Sequence, residues 1–279
     1  LKKSLDGAGG LLMKYGLIGE KLGHSFSPEI HRVIFELSGI EGEYGLIELK
    51  KDEIEDFLGN AVKQEYKGVN VTIPYKTTVI PFMNQVSDEA KKIGAVNTIK
   101  VGDELKGFNT DYFGIEYTFL KNGINVTGKT VLVAGSGGSS KSVVAYLLDK
   151  GVRKIYIASR NPGQVAKVHE AIEPVSYEDV SWFVPFDIVI NTTPVGMYPN
   201  TGFSPLKTMH IKGAAFLFDL IYNPGKTELL KLADNLGIQN VNGLYMLVAQ
   251  AVKAQEIWNE VKFGNDFIDS VYNSVVKLR

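Results

Sequence analysis

The sequence predicts an α/β protein in two domains. Short apolar runs alternate with helix-like stretches almost from end to end, the pattern of a chain that builds largely parallel sheets. A glycine turn, Gly135-Ser136-Gly137-Gly138, follows a continuous apolar run and opens a helical one. The 279 residues suffice for two medium domains or one large one.

Taken in order, residues 1–12 carry the run Asp6-Gly7-Ala8-Gly9-Gly10 and are expected to be a tag or disordered leader outside the fold. Tyr15–Gly19 is a short apolar strand. The helix from Pro28 to about Ser38 is stopped by Gly39, and on spacing alone Ser27 is its N-cap with Pro28 in the first helical position. Tyr44–Leu49 is a second strand, Ile54–Leu58 lies in a second helix, and Gly68–Ile73 is a third strand. Pro74 ends that strand and is expected to start another helix. Lys76 then falls in its first turn, near the positive end of the dipole, where a cation is disfavoured and readier to give up a proton. Asn97–Val101 and Leu105–Phe108 flank Gly102-Asp103, a hairpin signal. Asp111 to Asn122 is helical and ends at Gly123, with Asp111 at its start.

The second domain opens with the strand Thr130–Ala134, followed by the glycine turn and a helix to about Asp149. Lys154–Ala158, Ile188–Ile190 and Ala215–Asp219 are further strands, and helices run from Leu244 to about Trp258 and from Phe267 to about Lys277. The expected division is 13–111 for a substrate domain, 112–243 for a nucleotide domain, and 244–279 for helices returning to the first domain. A cleft between two such domains is a natural ligand site.

Composition excludes several kinds of chemistry. With no cysteine, disulfides, thiolate catalysis and cysteine-bound zinc fall away. The four histidines are scattered, so no histidine metal site is expected. A net charge of −1 gives no pull towards nucleic acid or anionic membrane. No apolar run approaches the roughly 20 residues of a membrane span. The expected compartment is the cytoplasm, and monomer and homodimer are both open.

Glycines at 135, 137 and 138 permit a tight turn and close approach of a pyrophosphate to a helix N-terminus; Ser140 stands at the third glycine position of the fingerprint. About 20 residues on, where a carboxylate would hold a ribose 2′-hydroxyl, the chain has Ser159-Arg160-Asn161. A guanidinium there pairs with a 2′-phosphate, which favours NADP over NAD. Ser25 and Ser27 place two hydroxyls beside helix-end amides, a seat for a small carboxylate. Asn70 and Thr72 share one face of their strand and either cap the next turn or line a site. Asp111, taken alone, is more often an N-cap than a catalyst.

Together these segments resemble shikimate dehydrogenases, from Met13 to Arg279. Ser25-Phe26-Ser27 is similar to the family's S-x-S carboxylate site, and Asn70 to Lys76 to its N-V-T-x-P-x-K segment. Gly94-Ala95-Val96-Asn97-Thr98 and Asn109-Thr110-Asp111 match G-A-V-N-T and N-T-D, and Asn242 to Gln250 is similar to the G-x-x-M-L-V-x-Q helix start. The resemblance implies a Rossmann-type NADP domain and NADPH-dependent reduction of 3-dehydroshikimate to shikimate. Lys76 and Asp111 would form the acid–base pair. Ser25, Ser27 and Tyr222 would hold the substrate carboxylate, and Asn70, Thr72, Asn97 and Gln250 its ring hydroxyls. Gly135, Ser136, Gly137, Gly138 and Ser139 would hold the pyrophosphate, and Ser159, Arg160 and Asn161 the 2′-phosphate. Asn191, Thr192, Thr193, Pro194, Leu220, Gly243 and Met246 would line the nicotinamide side, and Asp88 would lie near the cofactor.

Ser136 and Ser139 stand where alanine is usual in the family, Tyr245 where a small residue is common, and Gln164 where many NADP-using members carry a second arginine. Gln164 keeps open a quinate/shikimate dehydrogenase using NAD as well as NADP. A non-enzymatic NADP-binding regulator on the same scaffold is the rival from another class; it has no need of Lys76, Asp111 and the serine turn together.

Overall fold

A computed structural model describes residues 12–23 and 25–278. Most of the expected leader, residues 1–11, and His24 lie outside them. The first part of the chain forms β1 (Met13–Gly19), α1 (Ser27–Ser38), β2 (Gly42–Glu48), α2 (Ile54–Asn60), β3 (Tyr66–Val71), β4 (Gln85–Val86), α3 (Asp88–Ile93), β5 (Thr98–Lys100) and β6 (Lys106–Phe108). There follow α4 (Thr110–Lys121), β7 (Thr130–Ala134), α5 (Gly138–Asp149), β8 (Lys154–Ala158), β9 (Ile172–Val175) and β10 (Ile188–Asn191). The chain closes with α6 (Thr208–Ile211), β11 (Phe216–Asp219), α7 (Glu228–Asn235), β12 (Gln239–Val241), α8 (Leu244–Asn259) and α9 (Asn265–Lys277).

The chain divides into two compact units. Among the described residues, the first holds those up to Ser87, Val96–Phe108 and those from Ala254 on; the second holds Asp88–Ala95 and Asn109–Lys253. These bounds differ from those expected at Asp111 and Gly243. Side-chain interactions explain the shift: Asn109 Nδ2 donates to the Ala95 carbonyl at 3.0 Å, and Lys92 pairs with Asp149 at 2.6 Å. Ile93 and Met246 are buried in the same core as β7 and α5.

The first sheet has the order β2-β1-β3-β5-β6-β4. It is mixed rather than largely parallel, because β5 and β6 form the expected hairpin and β5 runs antiparallel to β3. Register aligns Asn70 with Thr98 and Thr98 with Phe108, so the residues leaving β1 and β3 and entering β5 share one edge. Tyr15, Ala254 and Trp258 form a buried cluster in this unit, and Trp258 Nε1 donates to the Ile99 carbonyl at 2.9 Å. The α9 helix packs on α1. Ile268, Val271 and Val275, at helical spacing, are its buried face.

The second sheet, β12-β11-β10-β7-β8-β9, is parallel throughout, the doubly wound order with its reversal between β7 and β10. Its central strand Thr130–Ala134 is buried along its whole length, as a strand covered on both faces must be. Ala134 is level with both Ala158 and Asn191, and Asn191 with Asp219. Gly135, Ser159, Thr192 and Leu220 therefore leave four neighbouring strands at one edge, where ligands of such sheets bind.

Two local expectations are corrected. No helix begins at Pro74: residues 73–79 form successive turns, with Tyr75 N–H donating to the Thr72 carbonyl and Val79 N–H to that of Tyr75. A helix at this point needs the Lys76 carbonyl for residue 80, but that carbonyl accepts from Val96 N–H at 2.8 Å. Lys76 is therefore not on a helix dipole. Nor is Ser27 the cap of α1. Phe26 occupies that position, since its carbonyl takes the first helical bond, from Ile30, and no side chain caps the end.

Candidate active site

In the first unit the loop after β1 is folded back on itself. Leu22 N–H donates to Glu48 Oε1 at 2.7 Å, Ser25 N–H to the Leu22 carbonyl at 2.8 Å, and Ser27 N–H to Ser25 Oγ at 3.3 Å. Half-buried Ser25 and Ser27 thus stand at a helix start with no side-chain cap, where amide hydrogens favour an anion. Tyr44, on β2, links this turn to β3. Its hydroxyl donates to Asn70 Oδ1 at 2.8 Å, and burial raises its pKa against the opposing hydrogen bond of Ser27.

Asn70 is buried with both ends of its amide engaged: Nδ2 donates to Thr98 Oγ1 at 3.0 Å and to the Asn97 carbonyl at 3.3 Å. The Thr98 hydroxyl donates in turn to Asn97 Oδ1 at 3.0 Å. Thr72 turns the chain off the sheet, its N–H on the Ile18 carbonyl and its carbonyl taking Tyr75 N–H. Tyr75 is buried under that turn, its hydroxyl on the Leu49 carbonyl at 2.7 Å. With the backbone bond from Val96, this holds Lys76 one hydrogen bond from the segment that carries Asn97. Ser27, Asn70 and Asn97 therefore belong to one network, with Thr72 and Lys76 on the chain leaving it.

In the second unit, Asn109 caps α4 through its side chain, which accepts from Tyr112 N–H at 3.3 Å. That leaves Asp111 in the first helical turn, a place that favours a carboxylate. Gln250, on α8, meets the same helix start: Thr110 Oγ1 donates to its Oε1 at 3.3 Å, and its Nε2 donates to the Leu247 carbonyl at 2.9 Å.

The glycine turn lies in a cleft of about 740 Å³. Gly135, Ser136, Gly137, Ser159, Arg160, Asn161, Thr192 and Thr193 all line it. Gly135 has φ +100°, and a Cβ there would lie 2.8 Å from Thr192 Oγ1 and Thr193 Cγ2. Gly137 and Gly138 face open space, Gly138 and Ser139 begin the 12-residue helix α5, and no side chain caps that end. Bare backbone, uncapped amides and an exposed Arg160 at the next strand end fit a dinucleotide with a 2′-phosphate. Ser159 Oγ accepts from Asn161 N–H at 3.2 Å and lies 3.2 Å from Ser136 Oγ, joining the two loops. Leu220 and Gly243 touch so closely that a Cβ on Gly243 would lie 1.9 Å from the Leu220 carbonyl oxygen; Met246 is buried nearby on α8. Tyr222 is half-buried two residues beyond Leu220. Asp88 is not among the residues of this cleft; it is exposed at the start of α3, 3.6 Å from Lys91.

Sequence reasoning passed over two residues that shape the site, Asp219 and Tyr177. Asp219 is completely buried and accepts from Asn191 Nδ2 at 2.9 Å, Ile221 N–H at 3.1 Å and Thr227 Oγ1 at 2.6 Å. Burial raises its pKa, and those three hydrogen bonds oppose the rise. Asn191 Oδ1 in turn takes Thr193 N–H and Oγ1, so one carboxylate sets both the 191–193 and 220–222 turns. Tyr177 lines the cleft; burial raises its pKa, opposed by Arg160 and by a hydrogen bond with the Gly135 backbone. An acid ending an otherwise apolar strand, Phe216–Asp219, was the available signal for Asp219; Tyr177 gave none.

Residues 17–99 match the family model described as shikimate dehydrogenase substrate binding domain, and residues 119–196 match that of shikimate / quinate 5-dehydrogenase. The shikimate dehydrogenase (NADP(+)) of Clostridium beijerinckii is 45% identical over 261 residues, covering 93% of this chain and 96% of that protein. A crystal structure of a chorismate mutase/shikimate 5-dehydrogenase fusion protein from Clostridium acetobutylicum superposes with TM-score 0.92 at 39% identity, over 96% of this chain and 98% of that one. The shikimate 5-dehydrogenase of Thermus thermophilus, in complex with NADP(H) and shikimate, has TM-score 0.84 at 28% identity, over 94% and 99%.

Proposed function

The chain belongs to the shikimate dehydrogenase family, and we propose that it interconverts 3-dehydroshikimate and shikimate with NADP as cofactor, through Lys76 and Asp111. The observation that carries this reading is the network joining Ser27, Asn70 and Asn97 at one sheet edge, with Lys76 tied beside it. It supports a site for a small, hydroxylated carboxylate. Ser25, Ser27 and Tyr222 bind the carboxylate, and Thr72, Asn97 and Gln250 orient the ring hydroxyls. The glycine turn and Arg160 hold the dinucleotide, whose nicotinamide, lined by Thr192, Thr193, Leu220, Gly243 and Met246, supplies or accepts hydride when bound.

Lys76 donates a hydrogen bond to the ring oxygen that gains negative charge, and passes it the proton; in the reverse direction it is the base. Asp111 orients the ammonium. Lys76→Ala is expected to lower kcat by about 10²–10⁴ with a much smaller change in KM for shikimate. Steady-state kinetics check this, and a wild-type kcat in the variant removes Lys76 from the mechanism. A second reading, shared use of NAD and action on quinate, is favoured by Gln164, which lines the cleft where a second cation would strengthen 2′-phosphate binding.

A further inference from the structure

The assigned reaction leaves unused a buried polar chain in the first unit. His31, on α1, is completely buried, and its ring stacks on that of Tyr44 with centroids 3.9 Å apart and planes 8° from parallel. Its Nδ1 lies 2.9 Å from Gln255 Nε2. Its Nε2 is buried with no hydrogen-bond partner among the described residues, and an interaction with the Asn70 side chain opposes the fall in its pKa that burial causes.

The two ends of this chain determine which ring nitrogen carries the proton. Asn259 Nδ2 lies 3.0 Å from the Gln255 backbone carbonyl, which can only accept, so that atom is the amide nitrogen. The same nitrogen donates to Gln255 Oε1 at 2.8 Å, and Asn259 Oδ1 accepts the Tyr15 hydroxyl at 2.7 Å. Gln255 therefore turns its Nε2 to His31 and donates to Nδ1. A nitrogen that accepts carries no proton, so the neutral ring is protonated on Nε2. At the far end, the Asn97 backbone carbonyl likewise fixes Asn70 Nδ2 as the nitrogen. Asn70 Oδ1 is then the acceptor facing Tyr44, and the natural target of a donor on His31.

We infer that His31 is a positioning residue: its Nε2–H, with the Tyr44 hydroxyl, holds Asn70, and Asn70 sets the Asn97 amide through Thr98. On this inference Asn70 serves the substrate through Asn97 rather than by touching it, since both ends of its own amide are engaged within the unit. The inference rests on the reading of Asn97 as a group that orients the substrate. Burial lowers the His31 pKa to about 3, which keeps the ring neutral, and its tautomer fixed, at physiological pH. A donor without a full partner, buried beside an amide oxygen, carries a desolvation cost that an apolar ring would not. Orienting Asn70 is the role that offsets it.

The test uses the full chain. His31→Phe keeps a ring against Tyr44 and removes the donor, whereas His31→Gln returns an N–H near the imidazole Nε2. His31→Phe is expected to raise KM for shikimate about tenfold, leaving kcat and KM for NADP+ within about twofold, and His31→Gln to recover most of that loss. In ¹⁵N spectra of histidine-labelled wild-type protein, His31 is expected as the Nε2–H tautomer from about pH 5 to 8. The NMR readout needs neither variant to fold, nor any turnover. Wild-type KM in His31→Phe, equal impairment of both variants, or an Nδ1–H tautomer each overturns the inference. Absence of shikimate turnover in the wild type sinks the proposed activity instead, and the tautomer still decides whether the relay exists.

Discussion

Arg160 bears on which dinucleotide the second unit prefers. It is exposed at the end of β8, where a carboxylate would repel a 2′-phosphate, and it faces the cleft that holds the glycine turn. Arg160→Ala is expected to raise KM for NADP+ about tenfold and leave that for NAD+ nearly unchanged, because an exposed charge-assisted pair contributes at the low end of its range. Initial rates with both cofactors measure it, and equal loss with each would assign Arg160 to structure alone. Arg160 was legible in the sequence because its position is counted from the glycine turn. The surroundings of Lys76 were not: Pro74 predicted a helix, but the Lys76 carbonyl bonds to Val96, 20 residues on, a partner that no local spacing shows. His31 and Tyr44 were equally silent, one residue on a helix and one on a strand, joined only by the fold.

At the scale of elements, the turn between β7 and α5 combines backbone strain with close approach. Gly135→Ala places a side chain at φ +100° and against Thr192 and Thr193, so it is expected to cost about 1–2 kcal/mol or more and to lower Tm. Thermal unfolding with and without NADP+ checks this: the variant is expected to lose most of the cofactor's stabilisation as well, and unchanged Tm in both conditions contradicts the strained turn. The strands β7, β8, β10 and β11 were legible because each is a short, mostly apolar run, such as Thr130–Ala134. By contrast β9, Ile172–Val175, carries Glu173 and Pro174, and α3 and β4 are short, so pattern alone gave them no weight. The α1 cap shows the limit of spacing. Ser27 has the right residue type, but the first helical bond goes to the Phe26 carbonyl, so the cap position falls on Phe26.

For the whole molecule, the order of segments along the chain was readable but the division between units was not. Residues 88–95 belong with the second unit because Asn109 and Asp149 hold them there, and the division crosses α8 at Lys253/Ala254, inside a helix that has no break in its pattern. Those interactions are long-range, whereas sequence periodicity reports only neighbours. What the two units imply together is one activity on one substrate. Initial rates with shikimate and with quinate, each with NADP+ and with NAD+, test that most directly. The highest kcat/KM is expected for shikimate with NADP+; no turnover in any combination, by a protein that binds NADP+, would contradict the account.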